Sequence, residues 1–197
     1  MENFKSSRTK DNLLRAFAGE SQARNRYTFA QMQARESRVH VIEEVFRFTA
    51  DQEKAHAKVF YDFLSEMNGQ EIQIDGSYPV NTDKNLLPLL RASVHNEFNE
   101  YDPVYPEFAK IAREEGFFNI SEAFRLIAAV EKTHGERFEY YAGLIENNQL
   151  FESQSETEWM CLNCGHIYTG KEAPKFCPVC GYIQSYFIRR ELAPFTK

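Results

Sequence analysis

Apolar side chains recur at helical spacing through four long segments of the chain, and this periodicity predicts four α-helices. The positions expected to face inward include Leu13, Phe17 and Met32 in the first segment and Phe48 in the second. Each segment is also rich in Ala, Glu, Arg or Leu, which favour helices. The predicted helices cover about residues 9–36, 40–67, 83–115 and 120–147.

Local residues define the expected ends of these helices. Asn68 with Gly69 ends the second helix and Gly116 ends the third, because glycine readily adopts the left-handed conformation that follows many helices. Residues 70–81 contain glycine and proline and are predicted to form a loop. The expected N-terminal caps are Thr9, Thr82 or Asp83, and Asn119 or Ser121. Four long helices with one longer connection are typical of an antiparallel four-helix bundle.

Two prolines, Pro103 and Pro106, interrupt the third helical segment. Proline lacks a backbone donor, and it bends or ends a helix when it lies in the interior. Two outcomes are open at this point. Either the helix ends here and another begins, or it continues with a kink that orients Glu97 and Glu100.

Several acidic residues share a helix face with the apolar stripe, where a bundle helix normally presents apolar side chains. Burying a carboxylate there is costly unless a cation compensates its charge. The residues are Glu20, Glu53 with His56, Glu97 with Glu100, and Glu131 with His134, and the members of each pair stand three positions apart. One Glu-x-x-His pair alone has little meaning, because salt-bridged helix surfaces contain many such pairs.

The spacing of these residues reveals an internal duplication. Glu20 precedes Glu53 by 33 residues, and Glu97 precedes Glu131 by 34. Each half therefore offers one glutamate and, one helix later, a Glu-x-x-His pair, which is the ligand set of carboxylate-bridged di-iron bundles. Carboxylate and imidazole ligands suit iron or manganese. The pattern predicts a two-metal site, with Glu100 as an additional carboxylate in register with Glu97.

Two tyrosines and three further histidines have weaker signals. Tyr27 and Tyr105 are either ordinary core aromatics or donors of hydrogen bonds to the carboxylates of the metal site. His40 and His95 are interpreted as surface or capping residues, and His166 is not required by either predicted site.

All four cysteines lie in the last 40 residues, in two Cys-x-x-Cys-Gly motifs with twelve residues between Cys164 and Cys177. Such a pair of motifs predicts one tetrahedral metal site with four thiolate ligands, Cys161, Cys164, Cys177 and Cys180. The spacing alone leaves zinc and iron open. An aromatic shell tunes a redox potential and therefore favours iron. Its predicted members are Trp159, Tyr168, Phe176, Tyr182, Tyr186 and Phe187.

Composition separates two regions of different character. The chain has 197 residues, is 43% hydrophobic and carries a net charge of −6. This negative charge disfavours binding to nucleic acid or to an anionic membrane, and no apolar run is long enough to span a bilayer. The N-terminus lacks a secretory pattern, so a cytoplasmic location is expected. We predict a helical domain at 1–148, a polar linker at 149–157 and a metal domain at 158–197.

The chain resembles the rubrerythrin family over essentially its whole length. Three stretches and the two cysteine motifs carry the resemblance, and the stretches are Ala16–Tyr27, Asp51–Lys58 and Tyr105–Gly116. The resemblance implies an all-α, ferritin-like four-helix bundle followed by a small, β-rich, rubredoxin-like domain. It also implies two irons in the bundle and one in the four-cysteine site. The implied di-iron ligands are Glu20, Glu53, Glu97, Glu100, Glu131 and His134, with His56 as an alternative to Glu100 in the reduced site.

The same resemblance implies a non-haem di-iron peroxidase that reduces hydrogen peroxide to water. Electrons would come from NAD(P)H through a separate reductase or rubredoxin, since the chain has no glycine-rich dinucleotide motif of its own. A head-to-tail homodimer is implied as well. Two alternatives remain open, namely a ferroxidase, iron-handling or dioxygen-reducing protein, and a zinc-ribbon interaction module on a helical scaffold.

Overall fold

The computed structural model describes residues 3–194, in which a helical bundle is followed by a small sheet. The helices are α1 (Arg8–Glu36), α2 (His40–Phe63), α3 (Leu86–Asn99), α4 (Tyr105–Glu114) and α5 (Phe118–Glu146). The strands are β1 (Glu152–Cys161), β2 (Ile167–Glu172) and β3 (Phe187–Arg189), in the antiparallel order β2-β1-β3. The predicted fold class, a ferritin-like bundle with a small C-terminal metal domain, is confirmed.

The bundle is built from two helical hairpins. Helix α1 packs along α2, and α3 and α4 both pack along α5, so that α3 and α4 together occupy the place of the third helix. A three-residue connection joins α1 to α2, where Arg38 has a left-handed backbone (φ 56°). The longer connection from α2 to α3 includes the predicted loop at residues 70–81, which has no helix or strand. None of the helices in residues 3–194 is both long and apolar enough to cross a membrane.

The third helical segment, predicted over residues 83–115, is interrupted. Helix α3 begins at Leu86, after Asn85, and a π-helical turn at Glu100–Val104 separates it from α4. Asp102 in this turn has an extended backbone (φ −157°, ψ 116°), and its peptide bond to Pro103 is cis. Because proline cannot donate the next helical hydrogen bond, α3 ends and a new helix begins. The structure therefore follows the first of the two outcomes left open by the sequence.

The cap predicted for the first helix is also wrong by two residues. Ser7 is the N-cap of α1, and its hydroxyl accepts a hydrogen bond from the amide of Lys10 (3.1 Å). Thr9 instead donates its hydroxyl to the Glu115 carboxylate at 2.6 Å. This bond ties the first turn of α1 to the end of α4, which is a long-range contact that a local capping rule does not consider.

The ends of α2 and α5 differ from the sequence prediction as well. Helix α2 ends at Phe63, and Ser65–Met67 form a separate 3-10 turn. Helix α5 begins at Phe118, two residues earlier than expected, without a side-chain cap. Neither Asn119 nor Ser121 caps it, and the Ser121 hydroxyl donates to a backbone carbonyl of α4 instead. Packing between α4 and α5 therefore sets this boundary.

Two apolar layers fill the bundle, one on each side of the acidic residues. The first layer includes Phe46 and Phe138, and the second includes Phe60 and Phe124, all of them fully buried. Along α2, Glu53 lies between Phe46 and Phe60, so each helix passes from one layer through the acidic zone to the other. This arrangement confines the carboxylates to one level of the bundle.

Two of the positions expected to face inward are in fact exposed. Met32 is 55% exposed and Phe48 is 46% exposed, whereas Leu13 is fully buried. Cation–π contact with Arg137, whose guanidinium carbon lies 5.1 Å from the ring centroid, partly covers Phe48. In α1 the buried face continues through Ala30 and Ala34, so Met32 lies off this face rather than beyond its end.

The C-terminal domain packs against the end of the bundle. Strand β1 begins at Glu152, so much of the segment predicted as a linker (149–157) is a strand paired with β2. Ile188 and Ala193 join the apolar layer of the bundle that contains Phe46. Tyr186 stacks on His40 of α2 with ring centroids 4.1 Å apart. His40 is therefore a contact residue between the two regions, and the division of the chain into domains stays a prediction.

Candidate metal centres

The acidic level of the bundle brings together six of the predicted ligands. Glu20 comes from α1, Glu53 and His56 from α2, Glu97 from α3, and Glu131 and His134 from α5. Of the five glutamates predicted as ligands, four are at most 1% exposed to solvent, and Glu100 is the exception. On each helix, the ligand residues lie on the same face as the buried apolar side chains, so they point into the bundle.

The six residues form two overlapping groups of four. One group contains Glu20 and His56, the other contains Glu97 and His134, and both contain Glu53 and Glu131. The ligand atoms within each group lie within 4.8 Å of one another. Sharing of two carboxylates between two groups is the arrangement that a pair of bridged metal ions requires. The internal duplication of the sequence thus becomes an approximate symmetry of the site.

The two imidazoles face the shared carboxylates with the same ring atom. Nδ1 of His134 lies 2.8 Å from Glu53 and 2.9 Å from Glu131, and Nδ1 of His56 lies 2.9 Å from Glu131. The two rings are nearly parallel, with centroids 5.5 Å apart and an interplanar angle of 16°. Both histidines therefore present one nitrogen to the same space between the helices.

Buried polar atoms without a hydrogen-bond partner converge on that space. Such atoms are costly in a protein interior unless an ion or water satisfies them. The ones at this level of the bundle are Glu20 Oε2, Glu53 Oε1 and Oε2, His56 Nδ1, Glu97 Oε2, Glu131 Oε1 and Oε2, and His134 Nδ1. All of them are atom types that bind iron or manganese. The residues present therefore fit a two-metal cluster.

Electrostatics lead to the same conclusion. Burial and the nearby Glu53 carboxylate raise the pKa of Glu97 to about 8. Burial alone would lower the pKa of His134, but Glu131, Glu53 and Glu97 outweigh it and raise that pKa to about 11. The pKa of His56 is raised for the same reason. In the protein alone, protons must supply the positive charge that the carboxylates require, and bound cations can replace them.

The two tyrosines occupy equivalent positions in the two halves of the site. The Tyr27 hydroxyl donates a hydrogen bond to Glu97, and the Tyr105 hydroxyl donates one to Glu20. Both rings are only 1% exposed. Burial, followed by the adjacent carboxylate, raises the pKa of each phenol well above its ordinary value. Both phenols therefore stay protonated and act as donors, as one of the two interpretations of the sequence proposed.

Glu100, the seventh predicted bundle ligand, lies outside both groups of four. It begins the π-helical turn and lines a cavity of about 180 Å³ together with Tyr105. Its side chain is half-buried, unlike the other predicted carboxylate ligands. His56 thus occupies the position in the first group for which the sequence also offered Glu100, and the ligand role of Glu100 stays a prediction.

Sequence reasoning missed a group of polar residues behind His134. Nε2 of His134 lies 3.1 Å from Gln52 Oε1, and Arg137 Nη1 donates to the same Gln52 oxygen (3.0 Å) and to Thr49 (2.9 Å). Arg137 can only donate, so the Gln52 atom that it contacts is the amide oxygen, which can only accept a hydrogen bond from His134. Nε2 therefore carries the imidazole proton, and the Nδ1 lone pair is free for a metal. The adjacency of Gln52 to Glu53 was the available signal in the sequence.

We expect the Gln52→Leu variant to bind metal in the bundle about 10- to 100-fold more weakly, because His134 loses the acceptor that fixes its tautomer and ring orientation. Anaerobic competition between Co²⁺ binding and a chelator measures the affinity. Asp51→Asn is the matched control, since Asp51 is the exposed neighbour on α2. Equal affinities of the two variants would contradict a positioning role for Gln52.

Removal of metal from the bundle is expected to lower the melting temperature by about 10 °C, since tight binding to the folded state alone stabilises it by several kcal/mol. The cause is the set of buried carboxylates, whose mutual repulsion is then uncompensated. Differential scanning calorimetry before removal, after removal and after Co²⁺ is restored gives the comparison. An unchanged melting temperature would mean that these carboxylates do not hold a metal.

The four cysteines form the second candidate centre. Cys161 Sγ lies 3.7 Å from Cys180 Sγ, and Cys164 Sγ lies 3.6 Å from Cys177 Sγ. These distances are far longer than a disulfide bond of about 2.05 Å. They match the spacing of about 3.75 Å that four sulfurs adopt at about 2.3 Å around a tetrahedral metal. The four thiols therefore fit one metal ion.

Each cysteine motif forms a tight turn that ends on a glycine. Gly165 (φ 76°) and Gly181 (φ 75°) adopt the left-handed backbone conformation, which is unfavourable for residues with a side chain. The Tyr182 backbone amide, which follows the second turn, is the main cause that lowers the pKa of Cys180 to about 6. An amide directed at a sulfur stabilises the thiolate, which is the form that binds metal.

The predicted aromatic shell is only partly correct. Trp159 and Phe187 are fully buried beside Cys161 and Cys177. Tyr168, Phe176 and Tyr182 are instead 39%, 65% and 41% exposed. Three short strands cannot enclose six large rings, so the sheet buries two of them and leaves others at the surface.

Comparison with known proteins gives matches for both regions. A family model described as rubrerythrin matches residues 11–142, and a second, described as the rubredoxin-like domain of rubrerythrin, matches residues 159–188. Rubrerythrin-1 of Clostridium acetobutylicum is 45% identical over 192 residues, which cover 95% of this chain and 96% of that protein. Rubrerythrin of Porphyromonas gingivalis is 43% identical over 186 residues (94% and 92%). The structure of fully reduced, all-ferrous nigerythrin aligns with a TM-score of 0.63 at 27% identity (96% and 94%).

Proposed function

We propose that this chain, which belongs to the rubrerythrin family, is a peroxidase that reduces hydrogen peroxide to water. Family membership makes it an oxidoreductase of iron-based oxidative-stress defence, with two irons in the bundle and one in the rubredoxin-like domain. The observation that carries the proposal is the pair of ligand groups that share Glu53 and Glu131. Two metals held side by side can act together on the two oxygens of one peroxide.

The reaction requires two electrons and two protons for each peroxide. The O–O bond breaks, and both oxygens leave as water. When bound, the two irons supply one electron each and stabilise the departing oxygens as Lewis acids. The remaining requirements are those of protein side chains, which must hold the metals, supply protons and exclude competing reactions.

Tyr27 and Tyr105 orient the terminal carboxylates Glu97 and Glu20 through their hydroxyl hydrogen bonds. Each phenol keeps a proton at its oxygen, beside a carboxylate that can accept it. Glu100 stands between the cavity and the site and is suited to carry protons inward from solvent. We propose these three residues as the route by which protons reach the oxygens of peroxide.

The apolar layers on both sides of the site exclude bulk water. Phe46 and Phe138 close one side, and Phe60 and Phe124 close the other. A low-polarity surrounding strengthens the electrostatic effect of the metals and of the phenol donors. It also retains reactive oxygen species within the site until both oxygens are reduced.

Electrons are proposed to come from NAD(P)H through a separate reductase or rubredoxin. The four-cysteine site is suited to receive them, because Cys164 in the first motif is exposed and Val179 in the second motif is 67% exposed. We further propose a head-to-tail homodimer in which the rubredoxin-like domain of one protomer supplies the bundle of its partner.

An anaerobic titration tests the proposed reaction. The fully reduced protein is expected to consume one hydrogen peroxide for every two ferrous irons that become oxidised, because each peroxide takes two electrons. Hydroxyl radical trapping is expected to stay at background. A requirement for one peroxide per iron, with radical formation, would overturn the proposal, as would growth of a ferric mineral when Fe²⁺ is added in excess.

A further inference from the structure

A cavity of about 180 Å³ lies against the metal site on the side of α3 and α1. Glu100 and Tyr105 form its inner wall, and Tyr105 bonds directly to the predicted ligand Glu20. Residues from Gly76 to Pro79 of the loop between α2 and α3 form its outer wall. The cavity therefore leads from the surface of the loop to the polar edge of the site.

Tyr78 covers this cavity with its ring. A Cβ atom added at Gly19 would lie 3.8 Å from Tyr78 Cε1, and one added at Gly76 would lie 2.9 Å from Tyr78 Cε2. The ring thus fits between two glycines, one of them adjacent to Glu20 in α1. Any larger residue at 76 would displace it. The Tyr78 hydroxyl also donates to the Arg15 carbonyl (3.1 Å), which adds one hydrogen bond to the packing that holds the ring.

The attachments of the loop are weak ones. Arg15 binds the side chain of Asp75 at 2.7 Å, but the Asp75 side chain is 92% exposed. Such exposed ion pairs contribute little to stability. Residues 70–81 have no helix or strand to hold them. Local opening of this segment is therefore far less costly than opening of the bundle.

A side chain that covers a cavity in this way separates peroxides by their size. A water molecule occupies about 30 Å³ in the liquid, and hydrogen peroxide is only slightly larger, so it fits easily in a cavity of about 180 Å³. A hydroperoxide with an aromatic or branched alkyl group is several times larger, and the Tyr78 ring narrows the opening through which it must pass.

We propose that Tyr78 determines specificity by limiting access to the metal site to peroxides of the size of hydrogen peroxide. This inference rests on the proposed peroxidase function. Tyr78 lines the cavity together with Glu100 and acts by narrowing the access route to the ligands. Its removal should admit organic hydroperoxides and leave the reaction with hydrogen peroxide unchanged.

Stopped-flow reoxidation of the reduced protein by hydrogen peroxide and by cumene hydroperoxide tests the proposal. In Tyr78→Ala, the rate constant for cumene hydroperoxide relative to hydrogen peroxide is expected to rise at least about tenfold, the low end of steric discrimination by one apolar group. Tyr78→Phe keeps the ring and should resemble the unaltered protein. Val80→Ala, in the same loop and 84% exposed, controls for loop flexibility. An unchanged ratio in Tyr78→Ala would overturn the proposal.

A second readout does not depend on turnover. Extraction of iron from the reduced bundle by 2,2′-bipyridine, a flat aromatic chelator, should accelerate in Tyr78→Ala and stay unchanged in Tyr78→Phe and Val80→Ala. If neither hydrogen peroxide nor cumene hydroperoxide oxidises any of the proteins, the proposed peroxidase function is wrong. The rates of iron extraction by bipyridine then decide alone whether Tyr78 controls access. Equal extraction rates in all four proteins would then refute that role.

Discussion

The Glu131→Gln variant is expected to lose the metals of the bundle and, with them, its reaction with hydrogen peroxide. Glu131 is fully buried and belongs to both ligand groups, with one oxygen 2.9 Å from His56 Nδ1 and the other 2.9 Å from His134 Nδ1. Glutamine preserves the shape but removes the charge and one acceptor oxygen. Since changes to residues that only support ligands already cost about 10- to 100-fold in affinity, loss of a shared ligand should cost at least about 100-fold.

The same variant separates ligand loss from misfolding. Without metal, it should keep the helical content of the metal-free unaltered protein, because glutamine has the shape of glutamate and the apolar layers on both sides of the site are unchanged. Its four-cysteine iron absorption should be unchanged. Glu136→Gln is the matched control, since Glu136 lies on the same helix with an exposed side chain that pairs with Lys132. Retention of two bundle irons in Glu131→Gln would contradict the assignment of the site.

The Cys161→Ala variant is expected to lose turnover supported by an external reductase and to keep a single turnover after chemical reduction. Cys161 is fully buried in the small sheet, 3.7 Å from Cys180, and its loss leaves three thiolates for a tetrahedral metal. The bundle ligands come from other elements and stay intact. Reductase-coupled NAD(P)H oxidation should fall to background, whereas peroxide should still oxidise the dithionite-reduced bundle.

Two measurements complete this test. Lys171→Ala, an exposed position on β2, is the control for general effects on the C-terminal domain and should turn over normally. Thermal unfolding of the helices in Cys161→Ala should match the unaltered protein. Normal reductase-supported turnover in Cys161→Ala would mean that electrons reach the bundle without passing through the four-cysteine site.

The position of the metal site along the bundle could be predicted, because charged residues at positions of the apolar helix face can be recognised in the sequence. Glu20 and Glu97 each occupy a position where a bundle helix should be apolar, and the repeat at 33 and 34 residues links them to the Glu-x-x-His pairs. The four cysteines were equally informative, since their spacing leaves one geometry that satisfies all four. In both cases, local sequence spacing maps directly onto spatial proximity.

The features that could not be predicted depend on contacts between distant segments. The sequence did not show that Gln52 fixes His134 or that Arg137 holds Gln52, because these residues meet only when α2 packs against α5. The π-helical turn placed Glu100 at the edge of the site, although its register resembled that of Glu97. The position of Tyr78 over the cavity likewise depends on how an irregular loop meets α1.

The proposed function requires that the reduced bundle irons react with hydrogen peroxide in preference to dioxygen. The most direct measurement is stopped-flow reoxidation of the fully reduced protein, with three irons per chain established beforehand, by hydrogen peroxide and by dioxygen at equal concentrations. The structure and the family together predict that oxidation of the bundle irons by hydrogen peroxide is much the faster reaction. A faster reaction with dioxygen would contradict the account and would indicate a ferroxidase or a dioxygen-reducing protein instead.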